Sequence, residues 1–161
     1  MKICIIVPAY NEEKRIGKML SAYLDFFNIL SKERDFTYKM LVVINGTTDR
    51  TENVVRAFQS GNSCVEFINL KKGGKGFAVV EGLKIALSEN FNLVGFVDAD
   101  LATRPEEYWN LIRGVGDAGG AIADRYIEGS KVYPPYSFRR RVVSRVYNNL
   151  VRLLFALDYK D

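Results

Sequence analysis

Residues 93–100 read Leu93-Val94-Gly95-Phe96-Val97-Asp98-Ala99-Asp100, an apolar run that ends in two carboxylates one residue apart. A continuous apolar run of this length predicts a strand. A strand that ends in acids sets their oxygens at the carboxyl edge of the sheet, where open α/β folds bind ligands. Asp98 and Asp100 there suit a hard divalent cation shared with a substrate diphosphate. Mg²⁺ takes one or two protein carboxylates and fills its remaining positions with water and phosphate oxygens. Acids at strand ends also serve as helix caps, so the pair draws its meaning from the segments around it.

Working outward, residues 3–7 form a second continuous apolar run, closed by Pro8. Apolar residues then recur at Ile16, Met19, Leu20, Tyr23, Leu24, Phe27 and Leu30, the 3.6-residue period of a helix with one buried face. Residues 39–44 and 64–70 predict two more strands. Between them Asp49, with Glu52 three residues on, predicts a capping box for a helix over 50–60. The helix that follows Gly76 is expected to turn Phe77, Val80, Leu83, Ile85 and Leu87 inward. Past Asp100, Thr103 is the expected cap of the next helix, with Pro105 in its first turn and Glu106 answering the cap. Residues 119–124 predict a short fifth strand and 126–137 a loop holding Gly129, Pro134 and Pro135. Strands alternating with helices at this spacing predict an α/β domain over residues 1–161, Rossmann-like, with a mostly parallel sheet flanked by helices.

The chain has 161 residues and no histidine. That removes the Ser-His-Asp and Cys-His nucleophile schemes and His-ligated zinc, leaving carboxylates, lysines, arginines and an oxygen-held metal for any catalysis. Cys4 and Cys64 lie in apolar strand runs without CxxC spacing, the pattern of buried thiols in a reducing compartment. No apolar run reaches the length of a membrane span and the first residues carry no signal-peptide pattern, so the expected location is cytoplasmic. The formal charge of +4 is uneven: from Lys131 onward seven basic residues face two acidic ones, a net +5. Residues 137–157 combine Arg139, Arg140, Arg141, Arg145 and Arg152 with Val142, Val143, Val146, Tyr147, Leu150, Leu153 and Leu154 at helical spacing. This predicts a basic amphipathic helix, either packed on the core or lying on an anionic membrane surface. No nucleic-acid reader motif accompanies the charge.

Four segments stand at predicted strand ends: 8–13, 45–49, 71–76 and 98–100. In a parallel sheet these ends share one edge, so they converge on one crevice. Lys71-Lys72-Gly73-Gly74-Lys75-Gly76 offers close backbone approach and positive charge to a diphosphate. It has neither the GxxxxGK[ST] spacing of a P-loop nor the GxGxxG of a dinucleotide fold.

Val7-Pro8-Ala9-Tyr10-Asn11-Glu12-Glu13, Asn45-Gly46-Thr47-Thr48-Asp49-Arg50-Thr51, Gly73-Gly74-Lys75-Gly76 and Asp98-Ala99-Asp100 resemble, in order, the successive signatures of family 2 glycosyltransferases of the GT-A fold. Asp98-Ala99-Asp100-Leu101-Ala102-Thr103 and the glycine loop are most similar to dolichyl- or polyprenyl-phosphate sugar synthases, closer to the glucosyl than to the mannosyl branch. Arg125-Tyr126 resembles the family's Ser-Arg-Tyr, and residues 139–148 its arginine-rich segment. The resemblance implies an inverting, metal-dependent transfer of a sugar, glucose first, from a nucleotide-sugar to dolichyl or polyprenyl phosphate at the cytoplasmic face of a membrane. It implies that Pro8, Tyr10, Glu12, Asn45 and Lys75 bind the nucleotide, and that Asp98 and Asp100 hold Mg²⁺ or Mn²⁺. Arg125 would join them in catalysis and, with Arg139 and Arg140, meet the acceptor phosphate.

Two departures stand out. Ile44-Asn45 replaces a pair of acids that is common in the family, and an amide facing the base favours a UDP-sugar over a guanine nucleotide. The chain stops at Leu157-Asp158-Tyr159-Lys160-Asp161, where the family usually begins an Asp-Thr-x-x-Gly-Phe-Lys segment, which implies a domain incomplete at its C-terminus. A lipid phosphate is already anionic and needs little help from a general base. A saccharide or protein hydroxyl acceptor, the competing enzyme reading, would need one, with Asp124 as candidate. A nucleotide-sugar-binding module without catalysis is the reading from another class.

Overall fold

The two acids hang from the last strand of a four-stranded sheet. The structure, a computed structural model, describes residues 1–123 and, beyond them, Val143, Ser144, Val146, Tyr147 and Leu154. In chain order the elements are β1 (Lys2–Ala9), α1 (Ile16–Arg34), β2 (Thr37–Asn45), α2 (Thr51–Gly61), β3 (Val65–Leu70), α3 (Lys75–Ser88), β4 (Leu93–Phe96) and α4 (Pro105–Gly114). The strands lie in the order β3-β2-β1-β4 and every pairing is parallel. Hence all four carboxyl ends open on one edge.

Parallel strands covered on both faces need apolar side chains at every position. On one face Ile3, Ile5, Val7, Met40, Val42 and Ile44 pack with Ile16, Met19, Leu20, Tyr23, Leu24 and Phe27 of α1 and Tyr108 of α4. On the other, Cys4, Ile6, Leu41 and Val43 pack with Ala78 and Ala86 of α3. The α1 face is the one its periodicity predicts. Tyr23 also donates its hydroxyl to the Thr103 carbonyl at 3.1 Å, tying α1 to the loop that follows Asp98 and Asp100.

β1 runs through Pro8 to Ala9, two residues beyond the predicted end. The β1–β4 ladder stops at Ile6 opposite Phe96. Pro8 therefore sits where β1 has a strand partner on one side only, the place a strand proline is tolerated.

Several expectations need correction. Of the residues expected inward on α3, Leu83 and Ile85 pack half-buried against the core, but the fully buried face is Ala78, Gly82 and Ala86, and Val80 is 49% and Leu87 75% exposed. A Cβ on Gly82 would lie 2.6 Å from Ile6 Cγ2, so small residues let α3 approach the sheet more closely than its large apolar residues would. Asp49 does cap the start of α2, accepting from the Thr51 amide at 2.9 Å. Glu52 does not reciprocate: it pairs with Arg56 and accepts from Asn69. At α4 the glutamate that answers is Glu107, accepting from the Arg104 amide at 2.9 Å, so the box is one residue later than the Thr103–Glu106 reading. Residues 119–123 form no strand, and Ile122 is exposed. A run built on Gly119-Gly120 and alanines has too little side chain to bury against a neighbour. Cys64 lies just before β3, half-buried, and donates to the Tyr38 hydroxyl; Cys4 is fully buried, which pushes its thiol up to about 11.

The chain divides into two compact units, Met1–Gly114 and Val115–Asp161. The sheet belongs to the first. In the second, Val143, Ser144, Val146, Tyr147 and Leu154 are helical, and Val143, Val146, Tyr147 and Leu154 are exposed. Among the described residues no helix is long and apolar enough to cross a membrane.

Candidate active site

The loop after β1 and the loop after β2 are clamped together by short polar side chains. Asn11 accepts from the Thr48 amide at 2.9 Å, and the Glu12 amide donates to the Thr51 hydroxyl at 2.8 Å. The Glu13 amide donates to Asp49 at 3.1 Å, while the Glu13 carboxylate accepts from the Arg50 amide at 3.0 Å. Thr51, fully buried, in turn donates its hydroxyl to Asp49 at 2.5 Å. Desolvation raises the Asp49 pKa, but the bonds from the Thr51 hydroxyl and from backbone amides outweigh it and hold the carboxyl below the usual carboxylate range.

The clamp fixes Glu12 at the cleft wall, where its carboxylate takes a two-pronged contact from Arg15 at 2.6 and 2.7 Å. Tyr10, on the same loop, is 57% exposed beside it.

β2 ends in the buried Asn45 and then Gly46, whose φ of +59° makes the sharp exit. Gly46 lies so close to the glycine loop that a Cβ on it would sit 2.9 Å from Gly73 Cα. From that loop Lys75 reaches across to Asp98 at 2.5 Å, with both side chains half-exposed. Asp100 accepts from the Ala102 amide at 3.0 Å, shaping the turn in which Leu101 has φ +62°.

These segments enclose one cleft of about 780 Å³. Pro8, Tyr10, Glu12, Asn45, Lys75, Asp98 and Asp100 all line it, so seven residues singled out by the sequence meet in one place. Asp124, Arg125, Arg139 and Arg140 lie outside the described residues. The cleft carries acids on the β4 side and lysines with a glycine backbone on the α3 side, an arrangement suited to a diphosphate.

The sequence model of glycosyl transferase family 2 matches residues 4–156. The chain belongs to glycosyl transferase family 2. A Dolichyl-phosphate beta-glucosyltransferase of Trichomonas vaginalis, ALG5D, is 37% identical over 108 residues, covering 66% of this chain and 32% of that protein. The Drosophila melanogaster Dolichyl-phosphate beta-glucosyltransferase is 31% identical over 172 aligned positions, covering 100% of this chain and 52% of that protein. The chain thus spans between a third and about half of the length of these curated relatives. Among solved structures, the mannosyltransferase PcManGT from Pyrobaculum calidifontis, in complex with GDP-Man and Mn²⁺, superposes with a TM-score of 0.56 at 24% identity, over 72% of this chain and 32% of that one. That likeness is one of fold, GT-A.

In this family 2 chain two features escaped the sequence reading. Arg15 lines the cleft; its spacing of three from Glu12 is the signal that would have found it. Thr51 joins the clamp, which no short motif announces, because its partners come from a different loop. Asn45, which lines the cleft, also has both ends of its amide engaged inside the fold, the nitrogen donating to the Ala9 carbonyl at 3.0 Å and the oxygen accepting from the Gly74 amide at 2.9 Å.

Proposed function

We propose that the cleft binds a nucleotide-sugar and that the chain is the donor-binding part of an inverting transferase. In this reading a sugar, glucose first, passes from a UDP-sugar to polyprenyl or dolichyl phosphate. The observation that carries it is the convergence of four strand-end loops on one cleft lined by Asp98, Asp100 and the glycine loop, with Asp98 paired to Lys75. The relatives whose names include dolichyl-phosphate glucosyl transfer support the acceptor class and the sugar.

The donor set fits a divalent cation shared with a ligand. Among the described residues no cluster of three acidic or thiol groups forms, so Asp98 and Asp100 would hold Mg²⁺ or Mn²⁺ with water and diphosphate oxygens completing the shell. When bound, the cation supplies charge stabilisation to the departing diphosphate. Lys75 adds positive charge from the other wall. Pro8 and Tyr10 would frame the base, and Glu12, oriented by Arg15, the ribose. Asn45 Oδ1 has one lone pair left after Gly74, enough for one base N–H donor, which supports uracil over the two donors of a guanine edge.

A phosphate oxygen of the acceptor would attack the anomeric carbon as the bond to the diphosphate breaks. Arg125, Arg139 and Arg140 are the groups proposed to receive that phosphate. The apolar residues and arginines of 137–157, alternating at helical spacing, support a helix lying on the cytoplasmic face of a membrane. Labelled UDP-glucose, polyprenyl phosphate and Mn²⁺ test the reading: labelled lipid should accumulate. Binding of UDP-glucose without transfer to polyprenyl phosphate would favour a binding module instead.

A further inference from the structure

We infer that Asn45 is a positioning residue, a latch that fixes the glycine loop against the end of β1, its amide donating at one end while it accepts at the other. The inference rests on the proposed reading of the cleft as a diphosphate site. Asn45 is 2% exposed. Its nitrogen donates to the Ala9 carbonyl at 3.0 Å, with the Val43 carbonyl at 3.5 Å, and its oxygen accepts from the Gly74 amide at 2.9 Å. One side chain thus joins β1, β2 and the loop before α3. The loop is also held by backbone, the Gly46 amide donating to the Leu70 carbonyl at 2.8 Å and Gly46 abutting Gly73, and at its far end by Lys75 reaching Asp98 at 2.5 Å. Gly74 has φ +133°, a conformation that glycine supplies without fixing, so an outside partner must select it.

An ionised carboxylate at this position could accept from Gly74 but would face the Ala9 and Val43 carbonyls with no proton to give. A protonated one matches the amide, donating to Ala9 and accepting from Gly74. The charged groups lining the same cleft are Glu12, Arg15, Lys71, Lys75, Asp98 and Asp100, three of each sign, so no net charge there favours either form. Burial disfavours the ionised one.

The test uses inorganic pyrophosphate with Mn²⁺, a probe that has no base. In Asn45→Asp, affinity relative to wild type should fall about tenfold at pH 8, the loss of one buried hydrogen bond and its desolvation, and return to within about twofold near pH 5. Asn45→Ala should show a similar loss at both pH values. A residue that only reads the base would leave pyrophosphate binding unchanged in both variants, which overturns the latch. If wild type itself does not bind pyrophosphate, the diphosphate reading fails, and the latch is then judged by hydrogen exchange at the Gly74 amide. That amide should be protected in wild type and exchange at least tenfold faster in Asn45→Ala; equal exchange overturns the latch.

Discussion

Asp49 illustrates how one carboxylate shapes both a helix start and a ligand cleft. Its two oxygens take bonds from the Thr51 amide and hydroxyl and from the Glu13 amide, joining the loops after β1 and β2. Because these bonds favour the ionised form, the folded pKa lies below the unfolded one. The stabilisation is therefore present above the ordinary carboxylate range and is lost as pH falls through the folded value. Asp49→Asn should cost about 1–2 kcal/mol at pH 7, as expected for charge-assisted bonds made neutral. Urea unfolding at a series of pH values should show the gap between variant and wild type narrowing below about pH 4; a gap independent of pH would contradict this account. Sequence spacing pointed to Asp49 as a cap but not to the clamp. The Glu13 contact bridges two loops that no local pattern connects.

Among the elements, β1 was legible because a parallel strand buried on both faces requires an unbroken apolar run; β4 has such a run but lies at the edge of the described sheet, its residues only half-buried and Phe96 52% exposed. α1 was legible for the same kind of reason, since only one of its faces is apolar. α3 was not. It is apolar nearly all round, so periodicity cannot choose a face, and the choice falls to size: Ala78, Gly82 and Ala86 fit where Ile6 and Val43 approach. Gly82→Leu should therefore destabilise the domain by about 1–3 kcal/mol through overpacking. Gly82→Ala should cost less, because the gain of about 1 kcal/mol in helix propensity offsets part of the clash. Thermal unfolding of the two variants checks the order; equal midpoints would mean that α3 does not sit tightly on the sheet.

At the scale of the whole molecule, the first unit supplies the cleft and the second carries most of the net positive charge, +3 of the +4. The cleft was legible because strand-end loops of a parallel sheet share an edge, whatever their distance in sequence. Arg125, Arg139 and Arg140, proposed to meet the acceptor phosphate, lie outside the described residues, and the arginine-rich segment that holds two of them is proposed to lie on a membrane. That placement has a direct check. Lys or Arg near an anionic surface contributes on the order of 1 kcal/mol each, screened within a Debye length. Binding to vesicles containing anionic lipid should fall as salt rises, and Arg140→Gln, Arg141→Gln and Arg145→Gln together should weaken it more than tenfold while leaving UDP binding intact. Salt-independent binding would remove the charge from the account.

The central claim is that Asp98 and Asp100 join a cation and a nucleotide diphosphate in one site. Calorimetric titration of UDP with and without Mn²⁺ tests it most directly, in wild type and in Asp98→Ala and Asp100→Ala. Both side chains stand at the solvent edge, so both variants should keep the wild-type melting temperature within a few degrees. The account predicts that wild type binds UDP more tightly with Mn²⁺ and that each variant loses that gain. Wild-type affinity for UDP in the presence of Mn²⁺, retained in both variants, would contradict it.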